Sequence, residues 1–365
     1  MQPFLTINGK KVYFSELLDI SYRDTMVLDG YEEKTLEFCA NWLSGVQEFL
    51  VHTSGSTGIP KPITLKREQM EASAKLTLDF FQLKKSDKVL VSLNTEVIGG
   101  KMMLVRGLIQ ELEMHIVNPV ANPLERFDAE EIQFDFLSLV PYQLEAILSG
   151  PAEGKKQLDS AKAVLLGGAA IPHQLEEKIQ QLEAPVFHSY GMTETCSHIA
   201  LRKVNGDDRS ELFSALPGVK LGLTANGALT ISGPMTGGET IVTNDLAEIL
   251  DGNKFKLLGR ADDVINSGGI KVHPNLIAPT IEAAMASFGL NCRYFVAGLP
   301  HDLLGEEVTL VLEIPELQEE IIKQLLNSLH EQLPKFEAPR RLFCIAPFSE
   351  TKSGKIDRIA TLARL

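Results

Sequence analysis

Phe49-Leu-Val-His-Thr-Ser-Gly-Ser-Thr-Gly-Ile-Pro-Lys61 is the stretch on which the reading of this chain turns. A short apolar run stops abruptly in small hydroxyl residues and glycines. That order describes a strand running into a loop whose backbone N–H groups and hydroxyls can surround phosphate oxygens. Lys61 adds a positive charge. No Gly-Lys-[Ser/Thr] follows at the spacing of a Walker A loop, so any phosphate cradle here is of another kind. A flexible polar turn would use the same letters, and the loop alone does not separate the two readings.

Working outward, five more apolar runs follow: KVLVS at 88–92, MHIV at 114–117, FLSLV at 136–140, AVLLG at 163–167 and PVFHS at 185–189. Helix-period segments lie between them, among them Arg67–Leu83, Gly100–Leu112 and His173–Leu182. Alternation of this kind indicates βα units and a mainly parallel sheet. Ligands of such sheets gather at the carboxyl ends of the strands. The 53–61 loop follows the first run and Tyr190-Gly-Met-Thr-Glu194 follows the last, so the two are expected to face one crevice.

From about Gly206 to Leu258 short strand-like pieces alternate with Gly, Asn and Asp turns, which reads as a small β-rich subdomain. After Asp262 the texture changes again. Pro274–Ser287 reads as a helix and RYFVAGL at 293–299 as a strand. Val308, Leu310, Leu312 and Ile314 recur with period two, and Leu317, Ile321, Leu325, Leu329 and Leu333 with helical spacing, before a last strand, RLFCIA. The expected architecture is α/β. A large N-terminal domain, 1–261, holds mainly parallel sheets and the small β subdomain. A smaller, mobile α+β domain, 262–365, follows it.

A length of 365 residues suits two domains. The net charge of −13 argues against nonspecific binding to nucleic acid or anionic membrane. Cys39, Cys196, Cys292 and Cys344 form no CxxC pair and read as reduced thiols. The first residues lack the apolar core of a signal peptide, and no apolar run approaches the ~20 residues of a membrane helix. A cytoplasmic location is expected.

Four more segments carry chemistry. In Ser189-Tyr-Gly-Met-Thr-Glu194, Tyr190 can stack on a purine and Gly191 permits close backbone approach. Thr193 can bond phosphate, and Glu194 can hold Mg²⁺. Asp245 ends Val-Thr-Asn-Asp, where a carboxylate can accept both ribose hydroxyls; a turn aspartate is the plainer reading. In Gly259–Pro274, Arg260 can reach ribose or phosphate, and the position of the segment suggests a hinge. Gly268 and Gly269 beside Lys271 are unusual for a mere charged linker. Thr351-Lys-Ser-Gly-Lys355 would otherwise be a solvated basic tail.

These five segments, in this order, resemble the acyl-adenylate-forming superfamily. Its pattern [ST]SG[ST]TGxPK matches 53–61, YGxTE matches 190–194, GRxDDxIxxxGxxVxP matches 259–274, and TxxGK matches 351–355. Its [ST]GD appears as Thr243-Asn244-Asp245, with Asn in place of Gly. The resemblance implies ATP, Mg²⁺ and coenzyme A, with attack of a carboxylate on the α-phosphorus of ATP and then of a thiol on the acyl-adenylate. By that likeness Thr53, Ser54, Gly55, Ser56, Thr57, Gly58 and Lys61 grip the phosphates. Gly167, Gly168 and Ala169, with Ser189, Tyr190, Gly191 and Met192, line the adenine side. Asp245 and Arg260 hold the ribose. Glu194 takes the metal, and Lys355 and Thr193 act at the reacting phosphate. Asp262 is the pivot, and Gly268, Gly269 and Lys271 face the thiol. Only 52 residues precede the phosphate loop, so an N-terminal subdomain is expected to be trimmed or absent.

The continuation Glu194-Thr-Cys-Ser197 is most similar to the o-succinylbenzoate–CoA ligases of menaquinone biosynthesis. That acid carries a second carboxylate, so cationic or donor groups are expected around it: Thr195, Ser197, His198, Lys101 and Arg106, beside Gly99 and Gly100. For Lys101 and Arg106 a solvated helix face is the plainer reading. The expected partners are a small carboxylate, ATP and coenzyme A; the oligomeric state stays open, a homodimer included. Three alternatives also remain: another aryl- or acyl-CoA ligase, an amino-acid-adenylating enzyme with Glu96 holding the ammonium, and an inactive scaffold relative.

Overall fold

Five of the apolar runs form strands, Lys88–Val91, Glu113–Ile116, Phe136–Leu139, Ala163–Leu166 and Val186–Met192, in the computed structural model, which describes residues 2–19, 25–52, 61–350 and 356–365. They pair in parallel, Lys88 aligned with Glu113, Val89 with Phe136, Phe136 with Ala163, and Val164 with Val186. Every residue of the Phe136–Leu139 and Ala163–Leu166 strands is buried. Strands covered on both faces need such continuous apolar runs. One face carries the helices Arg67–Phe81 and Ile98–Gln110, with Met70, Leu104, Val89 and Leu165 in a shared core. The other carries Pro141–Leu148, Ala152–Asp159 and His173–Ile179, with Leu144, Leu158, Leu137 and Val164 between them.

The run that opened the sequence reading does not join this sheet. Glu48–His52 pairs antiparallel with Pro62–Lys66 in a separate two-stranded ribbon, Phe49 opposite Leu65. Its residues alternate between exposed and buried, and only Phe49 and Val51 enter the core. A strand with one apolar face suits a ribbon lying on a core rather than the interior of a parallel sheet. The edge of the large sheet is formed instead by the Phe4–Ile7 and Lys10–Tyr13 hairpin, Leu5 lying parallel to Met114. The helix Gly30–Leu43 adds Leu36, Cys39 and Trp42 to the same core. It starts at a capping box: Asp29 accepts from the Glu32 backbone N–H at 2.8 Å, and Glu32 accepts from that of Asp29 at 3.1 Å. The short N-terminal stretch thus supplies an edge and a covering helix.

The β-rich segment is not a separate sheet either. Ser197–Lys203 turns back antiparallel on Val186–Met192, and Phe213–Ala215, Lys254–Arg260, Ile241–Asp251, Ala228–Ser232 and Lys220–Leu223 follow in spatial order. The described residues therefore form one sheet of 13 strands, parallel in the middle and antiparallel in this half.

A second sheet begins after Asp262. Ile265–Ser267, Ile270–Val272, Tyr294–His301 and Gly305–Leu312 are antiparallel, and Arg341–Cys344 adds a parallel strand. Val308, Leu310 and Leu312 pack under the helices Pro274–Ser287 and Glu319–Gln332. The opposite face is also filled, by Val311, Phe295, Ile345 and Phe348. The period-two stripe is one of two buried faces. Among the described residues no helix is long and apolar enough to cross a membrane, and all four cysteines are unpaired.

Leu310 has no exposed surface and sits mid-strand under both helices of this second core. Leu310→Ala is expected to destabilise that core by about 2–5 kcal/mol, the range for truncating a buried leucine. Urea denaturation of both proteins checks the value.

Candidate functional site

The site is built around the hairpin of Val186–Met192 and Ser197–Lys203. A Cβ at Gly191 would lie 2.2 Å from the Ser197 carbonyl oxygen and 2.4 Å from the His198 Cα, so only glycine fits there. The chain turns through Thr193–Thr195 and then through two left-handed residues, Cys196 at φ 51° and Ser197 at φ 95°. The Thr195 hydroxyl fastens this turn. It accepts from the Met192 N–H at 3.1 Å and donates to the Ser197 carbonyl at 2.8 Å. Ser73, on the Arg67–Phe81 helix, donates to the Cys196 carbonyl at 2.6 Å. Thr195 is fully buried and occupied with backbone.

On one side of the hairpin Tyr190, Asp245 and Arg260, the residues expected to hold the nucleotide, come together. The Tyr190 hydroxyl donates to Asp245 at 2.7 Å. Burial, followed by the neighbouring Asp245 carboxylate, holds the phenol above its usual range, so it stays a donor. Asp245 sits opposite Arg260 in the ladder between Ile241–Asp251 and Lys254–Arg260, and the two side chains approach to 3.6 Å. The Thr243 hydroxyl accepts from the Asp245 N–H at 3.1 Å, while Asn244 between them is exposed. Arg260 Nε also meets Asp262 at 3.1 Å.

The second wall of that side follows Ala163–Leu166. Leu166 is in register with His188, which puts Gly167, Gly168 and Ala169 beside Ser189 and Tyr190. Ser189 donates its hydroxyl to the Leu166 carbonyl at 2.8 Å. His188, which the sequence did not single out, ties the wall down. Its Nε2 lies 3.0 Å from the Ala169 carbonyl, and its Nδ1 accepts from Arg202 Nε at 3.2 Å, so the proton resides on Nε2. Burial, reinforced by Arg202, pulls the imidazole down to about 4, which keeps it neutral near pH 7. Arg202 is itself ion-paired with Glu176.

Thr193 is buried, and Met192 and Glu194 are half-buried, with Glu194 on the turn. The Glu194 carboxylate has no hydrogen bond or ion pair among the described residues. No cluster of three or more potential metal ligands exists among those residues either. A single half-buried carboxylate such as Glu194 fits Mg²⁺, which usually takes one or two carboxylates and leaves the rest to phosphate and water.

The other side of the hairpin holds a buried polar cluster. Arg106, on Ile98–Gln110, is 1% exposed, contrary to the solvated helix face that was the plainer reading. The reason is visible in Ile98-Gly-Gly-Lys-Met-Met-Leu-Val-Arg-Gly-Leu-Ile-Gln110: apart from Lys101, Arg106 and Gln110 it is apolar or glycine, and such a helix is buried on most sides. Arg106 Nη2 donates to the Ser197 hydroxyl at 3.3 Å, and its Nε has no partner. No carboxylate faces it among the described residues. Burial pulls its guanidinium down to about 9. His198 is also buried, 3.1 Å from Thr77 through Nε2, and burial and Arg106 together keep it neutral. Lys101 lies 5.0 Å over the Phe38 ring and is half-buried. Gly99 and Gly100 open the helix, and a Cβ at Gly100 would come within 2.3 Å of the Asn94 carbonyl. Glu96 is at the surface, paired with Lys34 at 2.7 Å. Ser73, Thr77 and His188 are the residues of the site that no motif marked.

Gly268 and Gly269, at φ 58° and 83°, form the turn of the Ile265–Ser267 and Ile270–Val272 hairpin, which requires two left-handed residues; Lys271 beside them is exposed. Lys61 is exposed. Thr53, Ser54, Gly55, Ser56, Thr57 and Gly58 of the loop, and Lys355, lie outside the described residues.

Known proteins resemble this chain in sequence and in fold. The sequence model of the family described as "AMP-binding enzyme" matches residues 48–224. The 2-succinylbenzoate–CoA ligase of Escherichia coli K12 is 28% identical over 318 residues, which cover 83% of this chain and 65% of that protein. The chain thus spans just under two thirds of the length of that relative. A crystal structure of an AMP-forming acyl-CoA synthetase/AMP-acid ligase II-like protein from Dyadobacter fermentans is 40% identical, with a TM-score of 0.62, covering 94% of this chain and 97% of that one. The Bacillus subtilis o-succinylbenzoate coenzyme A synthetase, solved with ATP and magnesium, shares the fold at 20% identity and a TM-score of 0.69, over 98% of this chain and 83% of that one. With a relative of 40% identity along almost its whole length, and the family's sequence model across residues 48–224, this chain belongs to the AMP-binding enzyme family.

Proposed function

We propose that the protein is an AMP-forming carboxylate–CoA ligase and that its acid is o-succinylbenzoate. The observation that carries the choice of acid is Arg106: a fully buried guanidinium with no carboxylate partner among the described residues, beside the half-exposed Ser197 hydroxyl. Burying an unpaired charge is costly, and a second carboxylate on the substrate would offset that cost. His198 stays neutral next to it, so it serves as a hydrogen-bonding group rather than a second cation. Glu96, already held by Lys34, gives no support to an amino-acid substrate.

In this reading the cleft carries out two substitutions. A carboxylate oxygen of the acid attacks the α-phosphorus of ATP, the bond to the bridging oxygen breaks, and pyrophosphate leaves. The sulfur of coenzyme A then attacks the acyl carbon, and AMP leaves with the electron pair of the C–O bond. Asp245 and Arg260 hold the ribose, and Tyr190 with the Gly167–Ala169 wall holds adenine. The 53–58 loop and Lys61 hold the departing phosphates. Glu194 would hold Mg²⁺, which neutralises charge developing on the phosphate oxygens. Lys355 supplies the fixed cation at the reacting oxygens, with Thr193 beside the phosphate. Residues 1–261 form the nucleotide-binding domain. Residues 262–365 form a lid that turns about Asp262, withdrawing Lys355 and presenting Gly268, Gly269 and Lys271 to the thiol.

ATP–pyrophosphate exchange across a panel of acids tests the assignment. Exchange is expected with o-succinylbenzoate. If amino acids alone support it, or no acid does, the proposal falls. Arg106→Met is expected to reduce exchange with o-succinylbenzoate about 10²-fold, yet to leave folding stability unchanged or raise it by about 1–3 kcal/mol, because a buried unpaired charge has been removed. Exchange assays and thermal melts read the two effects separately. Lys355→Ala should lower adenylate formation about 10²–10³-fold and spare thioester formation from supplied acyl-adenylate; equal loss of both steps would contradict the turning lid.

A further inference from the structure

The segment after Ala163–Leu166 runs through Gly167, Gly168 and Ala169 to the helix His173–Ile179. Its near end is anchored by His188 through the Ala169 carbonyl. Its far end is anchored from the C-terminal unit. Glu282, half-buried on the helix Pro274–Ser287, accepts from the His173 backbone N–H through Oε2 at 3.0 Å. Its other oxygen accepts from the Tyr294 hydroxyl at 2.9 Å, and that hydroxyl also lies 3.4 Å from the Ala278 carbonyl. Burial, then the Glu282 carboxylate, hold the Tyr294 phenol above its usual range, so it remains a donor. Both carboxylate oxygens are thereby committed, which fixes the direction in which Glu282 presents its lone pairs. A charge-assisted bond to a backbone N–H is stronger than a neutral one and falls away steeply when geometry changes.

We propose that Glu282 is a positioning residue for nucleotide binding: the second unit reaches over and sets the adenine wall of the first. The inference rests on the reading of 167–169 as that wall. Glu282 does not touch the reacting phosphates, so its contribution belongs to the grip on ATP and not to the chemical step. Tyr294 orients Glu282, and His188 holds the other end of the segment. ATP affinity is therefore linked to the seating of the Pro274–Ser287 helix, and by reciprocity ATP favours that seating.

Steady-state kinetics of Glu282→Ala should show KM for ATP raised about three- to tenfold, the range for one exposed charge-assisted bond, with kcat within about twofold and KM for coenzyme A unmoved. Glu282→Gln, which keeps an acceptor for the His173 N–H, should recover most of the loss. Tyr294→Phe should give a smaller rise of about two- to threefold. A KM for ATP unchanged in Glu282→Ala overturns the inference, as does a matched loss of kcat in the Ala and Gln variants. Calorimetric titration with ATP in the absence of any acid keeps the two readings apart. If wild type exchanges with no acid yet Glu282→Ala weakens ATP binding, the substrate proposal fails and this one stands. If exchange is acid-dependent but ATP binding is the same in both proteins, this one fails alone.

Discussion

The approach of the Gly191 backbone to Ser197 and His198, closer than any side chain at 191 would permit, is the constraint from which the site is hung. It forces the connection between the two strands to be short. Cys196 and Ser197 then adopt left-handed angles that cost about 1–3 kcal/mol each for residues other than glycine. Such angles persist only where the surroundings over-determine them. Here the hydroxyls of Thr195 and Ser73 take up the carbonyls of that very turn. The result is a stiff two-stranded spine. Tyr190 extends from it toward Asp245, and Ser197 toward Arg106. The Asp245 side and the Arg106 side are therefore one mechanical piece, and on the proposed reading an acid seated against Ser197 would have its position fixed relative to a ribose held at Asp245.

How much of this was legible in the sequence depends on whether the information was local. Runs such as FLSLV and AVLLG became strands where they stood, because unbroken apolar residues have few other uses at that length. Sheet membership was not legible. FLVHT resembles its neighbours in composition, but Leu50 and His52 are exposed, and its partner is Pro62–Lys66 rather than the next run. The β-rich segment is legible as strands, but its continuity with the large sheet is not, since the pairing of Phe213 with Phe255 is a non-local fact. The motif residues Tyr190, Asp245 and Arg260 do meet. Their supports, Ser73, Thr77 and His188, carried no motif, because a buried hydroxyl or a neutral imidazole is defined by what surrounds it.

Arg106 shows the same limit from the other direction. A lone arginine between two apolar turns looked like a solvated face. Apart from Lys101, Arg106 and Gln110 the helix carries only apolar residues and glycine, and that was the signal to weigh. Once buried, the guanidinium meets a thioether, a hydroxyl and a neutral imidazole. None of these cancels its charge. A fold selected for stability alone would have placed leucine or methionine there, at a gain in free energy. A cation at such a point is what the proposed substrate, with its second carboxylate, would offset.

Asp262 ties the cleft to the unit behind it in a way whose magnitude matters. Its carboxylate lies 3.1 Å from the Arg260 Nε, and the same guanidinium faces Asp245. Any rotation of the backbone at 262 therefore disturbs the group proposed to hold the ribose. The two side chains are 36% and 49% exposed, so the pair contributes at most about 1 kcal/mol. A buried, well-formed pair at the pivot would cost several times that to break and would lock the lid in one orientation. If residues 262–365 turn as proposed, a weak pair at Asp262 and a second weak tie at Glu282 would keep the cost of turning to a few kcal/mol. On that proposal the grip on the nucleotide would follow the position of the second unit without either orientation becoming a trap.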